Sequence, residues 1–85
     1  MTKEEFIKKY CSPTKLGACK QVVWDLCSDI EDTFGNTDID IMTALGSVHY
    51  SISTLLEVVR EDMVDYEYLK SMIADIESMQ KEYAD

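Results

Sequence analysis

The chain has 85 residues, room for one domain and no second. Its 46% hydrophobic and 29% charged residues, with three Gly and one Pro, exclude a collagen-like, low-complexity or linker sequence. Eight Lys/Arg against 17 Asp/Glu leave a net charge of −9, which argues against direct contact with a phosphate backbone. No run approaches the roughly 18 continuous apolar residues of a membrane span, and the first residues lack the apolar stretch of a signal peptide. The expectation is a cytoplasmic protein that touches neither nucleic acid nor membrane directly.

In chain order, Thr2-Lys3-Glu4-Glu5 has the spacing of a capping box, with Thr2 as N-cap and Glu5 reaching back. Phe6, Ile7, Tyr10 and Cys11 give the short helix that follows, about 3–11, one apolar stripe. Ser12-Pro13 ends it, because the residue before proline is pushed out of the α region. Pro13 suits the first turn of a second helix, about 13–34, whose Leu16, Cys19, Val23, Leu26, Cys27, Ile30 and Phe34 recur at the helical period. Gly35 is expected to close it in the left-handed conformation. Thr37 or Asp38 caps a third helix, about 38–60, with Ile41, Leu45, Val48, Ile52, Leu55, Leu56 and Val59 inward. Gly46 lies inside that helix at a cost of about 1 kcal/mol relative to Ala, tolerable where another backbone approaches closely. A fourth helix, about 62–83, carries Tyr66, Leu69, Met72, Ile73, Ile76, Met79 and Tyr83.

The three-and-four spacing from Leu45 to Tyr83 is interrupted only by Asp62 and Gln80, and no Gly or Pro separates helices three and four. A single helix there would be about 66 Å long and need a coiled-coil partner. A hairpin turning at residues 60–65 is favoured, because Glu61, Asp62 and Asp65 suit a new helix N-terminus. The fold class is all-α: a three- to four-helix bundle with a short N-terminal helix, in one domain over 1–85.

Charge is unevenly placed. Residues 1–20 carry five Lys and two Glu; the remainder carries three basic and 15 acidic residues. The basic segment either docks onto the acidic body or supplies a self-association surface, so a homodimer is one expectation. Cys11, Cys19 and Cys27 are odd in number and contain no CxxC. They read as small buried hydrophobes rather than a disulfide framework or a zinc site.

No cofactor or metal site emerges. An EF-hand loop starting at Asp32 would place Phe34 at its third position and Thr43 at its twelfth, which supplies no ligands there. Asp29-x-x-Asp32 and Asp62-x-x-Asp65 resemble the paired carboxylates of helical Mg²⁺-dependent nucleotide pyrophosphohydrolases, although that family favours Glu. That resemblance implies an enzyme as an alternative function. Leu45-Gly46-Ser47-Val48 is similar to the phosphopantetheine segment of acyl carrier proteins. Here Gly46 stands where that family has Asp, and Ser47 lies inside a helix. His49 has no assignable catalytic partner, and no glycine-rich phosphate loop is present.

What remains is recognition. Trp24 falls about 120° from the stripe of its own helix, beside Asp25, Ser28 and Glu31, and Tyr50, Val58 and Tyr68 are also off their stripes. An exposed Trp among acids has the character of a contact hot spot. The expected function is therefore a small, acidic, non-enzymatic protein-binding module. Its face is built from Trp24, Asp25, Asp29 and Asp32, joined by Glu57, Glu61 and Asp65. Its general character is similar to that of phage-type inhibitors whose helix-borne carboxylates stand in for phosphates on a basic, nucleic-acid-binding partner.

Overall fold

A computed structural model describes residues 1–84 as five helices with no strand: α1 (Lys3–Tyr10), α2 (Pro13–Leu16), α3 (Gln21–Gly35), α4 (Ile41–Val58) and α5 (Val64–Tyr83). The domain measures 36 × 22 × 19 Å. The α4/α5 hairpin makes the most extensive packing, α3 lies against α4, and α1 rests on α3. Their apolar stripes converge on one core that contains Phe6, Leu16, Val23, Ile30, Leu45, Ile52, Leu69, Met72, Ile76 and Met79. The all-α reading of the sequence holds, and no helix is long and apolar enough to cross a membrane among the described residues.

The first helix starts as expected: the Thr2 hydroxyl accepts the Glu5 N–H at 3.2 Å. The expected second helix is two. Residues 17–20 leave the helical path, and Lys20 is extended (φ −75°, ψ 164°) ahead of α3. The cause lies far along the chain. In a continuous helix the Lys20 N–H would bond Leu16, but here it donates to the Asp65 carboxylate at 2.9 Å. Leu16 and Val23 still reach the core on either side of the break, so the apolar period runs through it undisturbed.

Two glycine expectations need correction. Among the described residues none has positive φ; Gly35 is the last residue of α3 rather than a left-handed cap. The turn is made instead by Asn36, whose side-chain oxygen accepts the Asp38 N–H at 2.9 Å. Nor does another backbone approach Gly46: a Cβ there would meet nothing within 4 Å. The cap of α4 is Asp40, not Thr37 or Asp38. It accepts from the Thr43 N–H at 2.9 Å and the Thr43 hydroxyl at 3.1 Å, and these bonds hold its carboxyl below the usual range.

Between α4 and α5 the chain turns at residues 59–63, so the long apolar run from Leu45 to Tyr83 folds back on itself. The turn is extended at Val59 and Met63 and is braced by an Arg60–Asp62 ion pair at 2.9 Å. With φ negative throughout, it needs neither Gly nor Pro. The basic leader is likewise used within the chain: Lys9 pairs with Asp75 at 2.9 Å and the Met1 ammonium with Glu82 at 2.8 Å, both on α5. The long apolar run and Lys9 of the basic segment thus find partners inside one chain, while Lys8, Lys15 and Lys20 form no ion pair among the described residues.

Candidate functional site

An open groove of about 370 Å³ lies between α3 and α4. Val22, Leu26, Tyr50 and Leu55 give it apolar walls, Ser51 and Thr54 line it from α4, and Asp25 and Asp29 stand on the α3 side, one helical turn apart. The two hydroxyls are turned inward, Ser51 donating to the Ser47 carbonyl at 3.2 Å and Thr54 to the Tyr50 carbonyl at 2.9 Å. With those protons engaged, the groove offers an incoming donor two hydroxyl oxygens and the carboxylates of Asp25 and Asp29. Asp25 accepts one neutral hydrogen bond, from Gln21 at 3.0 Å. The ion pairs of Lys9, Arg60 and the Met1 ammonium all lie elsewhere, and no Lys or Arg lines the groove.

Tyr50 is 74% exposed and Val58 75%, with Val22 also exposed. Val58 follows Ser51, Thr54 and Leu55 at seven, four and three residues, so it prolongs the α4 wall. Asp32 continues the Asp25–Asp29 row by one turn. Glu57 is exposed and lies on the Tyr50 flank of α4, seven residues further on. Glu61 is exposed in the turn that follows.

The remaining residues expected on this face lie elsewhere. Trp24, 39% exposed, borders a separate small cavity with Cys11, Leu16, Cys27, Ser28 and Glu31, on the other flank of α3 from Asp29. Asp65 is 1% exposed and serves as the cap of Lys20, so it leaves the acidic surface. Tyr68 is half-buried, its ring edge-on to Tyr10 at 5.4 Å and its hydroxyl donating to the Tyr10 carbonyl. Val22, Ser51 and Thr54 are absent from the sequence reading because a groove between two helices depends on how they dock. The available signals on α4 were Tyr50 and Val58, both off their own stripe.

Polar bonds also cross between α1 and α5, beside a second open cleft of about 340 Å³ that Tyr10, Glu67 and Tyr68 help to line. The Tyr10 hydroxyl and the Lys9 ammonium both donate to Asp75, at 2.5 and 2.9 Å. Burial, together with the Asp75 charge, pushes the Tyr10 hydroxyl up to about 12. Burial also works against the Asp75 carboxylate, but the donors outweigh it and hold that carboxyl below its ordinary value.

The paired-aspartate arrangement is not assembled. Asp62 is taken by Arg60 and Asp65 by Lys20, while Asp29 stands on the groove rim. Among the described residues no three His, Cys, Asp or Glu side chains gather to hold a metal ion. Ser47, the carrier-protein candidate, lies in the middle of α4, and His49 is half-buried, 4.0 Å from Glu77. No protein family, curated protein or solved structure matches the chain.

Proposed function

We propose that this protein is a small non-enzymatic binding module that takes a basic protein partner on the α3/α4 face. One observation supports this most directly: an open groove with apolar walls and a row of carboxylates that form no ion pair among the described residues. Such a surface lowers its free energy by burying apolar side chains of a partner while Lys or Arg groups approach Asp25, Asp29 and Asp32. Tyr50 serves as the aromatic anchor, being large and stiff and so losing little entropy when covered. The inhibitor version of this reading follows from the same chemistry: carboxylates one turn apart along α3 occupy the lysines and arginines that a phosphate backbone would otherwise engage. Glu57 and Glu61 extend the negative field beyond the groove and speed encounter. Trp24, on the far flank of α3, is a separate contact point and not part of the groove.

The test is a matched pair of affinity captures from lysate of the native source. One uses the wild-type protein as bait and the other the Asp25→Asn/Asp29→Asn variant, both eluted with rising salt. A stoichiometric basic protein held by the wild type, released at moderate salt and missing from the variant, is the expected outcome. A partner held equally by both baits contradicts the assignment to this groove.

A further inference from the structure

Outside the groove, two of the three free cysteines share one cavity. Cys11 follows the last residue of α1, and Cys27 sits near the middle of α3. The Cys27 thiol donates to the carbonyl of Tyr10, the residue next to Cys11, at 3.4 Å. Both cysteines line a pocket of about 140 Å³ whose other walls include Trp24 and Glu31. Cys27 is buried, whereas Cys11 is half-buried and reachable by a small solute. Cys19 does not line that pocket.

We propose that Cys11 and Cys27 form a peroxide-oxidisable pair that closes a disulfide between the end of α1 and the middle of α3. In the first step the Cys11 thiolate attacks one oxygen of hydrogen peroxide. The O–O bond breaks, Cys11 becomes a sulfenic acid, and the second oxygen leaves as water after taking a proton. In the second step the Cys27 sulfur displaces the sulfenic oxygen, the S–S bond forms, and the Cys27 proton leaves with that oxygen as water. Two thiols and one peroxide become one disulfide and two waters.

The order of the steps follows from the surroundings. Hydrogen bonding with Cys11 and burial push the Cys27 thiol well above its ordinary value, so it stays protonated. The accessible Cys11 therefore meets the oxidant and Cys27 resolves it. The bond ties α1, otherwise attached largely through Tyr10, Lys9 and Phe6, directly onto α3. This site does not depend on the binding reading.

Peptide mapping tests it on the full chain, because trypsin places the three cysteines on separate peptides: residues 10–15, 16–20 and 21–60. The folded protein is treated with hydrogen peroxide, its remaining thiols are blocked with iodoacetamide under denaturing conditions, and the digest is analysed by mass. The expected product is a cross-link between peptides 10–15 and 21–60, reversed by dithiothreitol, with Cys19 alone alkylated. Cys19→Ser should leave that cross-link intact. Cys27→Ser should abolish it and leave a sulfenic acid on Cys11 that dimedone traps. Trp24, the single tryptophan, lines the same cavity, so its emission should change with oxidation in the wild type and not in Cys27→Ser. A Cys11–Cys19 or intermolecular cross-link as the main product, or Cys27 still alkylatable after peroxide, overturns the proposal.

Discussion

The two sides of α3 and its neighbours differ in how their charge is used. At the α1/α5 seam two carboxylates of α5 have donors: Asp75 takes Tyr10 and Lys9, and Glu82 takes the Met1 ammonium. In the α3/α4 groove Asp25 and Asp29 have no cation, and Tyr50 stands almost free in solvent. A seam whose carboxylates are bonded to donors gains rigidity and offers a partner less unpaired negative charge. A groove left with unpaired acids beside apolar walls forgoes that stabilisation and keeps the capacity to bind.

The largest expected effect removes the frame that both sides share. Leu69→Ala deletes a fully buried side chain at the α4/α5 hairpin and should cost about 2–5 kcal/mol, read from denaturant unfolding. Next comes Asp65→Ala, which leaves the Lys20 N–H without its acceptor and should cost about 1–3 kcal/mol. Its effect should concentrate at residues 17–21 in hydrogen exchange, and an unfolding midpoint equal to wild type would remove the long-range cap from the account.

The seam also sets a pH window. The Tyr10 hydroxyl titrates near 10.0 when unfolded and at about 12 in the fold. The unfolded chain therefore loses that proton first, and the stability it contributes, complete below about pH 10, disappears as pH rises through about 12. Asp75, held below its unfolded value, contributes stability above that value and loses it as pH falls through the lower folded one. Tyr10→Phe should flatten the alkaline limb, and an unchanged limb would place the loss elsewhere.

These polar bonds explain which parts were legible in the sequence. The α4/α5 hairpin and the core of α3 follow from apolar period alone: Leu45, Ile52, Leu69 and Ile76 repeat at helical spacing and all are buried. The break at residues 17–20 does not, because the group that stabilises it, Asp65, is 45 residues away. Asp65 read as a surface acid for the same reason: local pattern shows an acid at a helix start, and only the tertiary arrangement shows what it caps. The acid row of Asp25, Asp29 and Asp32 was visible as one face of a helix. The apolar wall opposite it belongs to α4, and its position depends on how the two helices dock.

Smaller effects sharpen the contrast. Gly46→Ala should stabilise the protein by about 0.5–1 kcal/mol, because the residue is helical and a new Cβ meets only open space. A destabilised Gly46→Ala would mean that the space is occupied. Asp25→Asn with Asp29→Asn should leave the unfolding free energy within about 0.5 kcal/mol of wild type, since neither acid holds a cation in the fold. Binding is where that variant should fail.

The most direct measurement is an NMR titration of isotope-labelled protein with a synthetic amphipathic helix carrying a leucine stripe flanked by arginines. Shift changes should gather on Val22–Asp29 and Tyr50–Val58, weaken with salt, and report an affinity at least tenfold lower in the Asp25→Asn/Asp29→Asn variant. Shifts spread evenly over all acidic surfaces, or gathered on α1 and α5, would contradict binding at the groove.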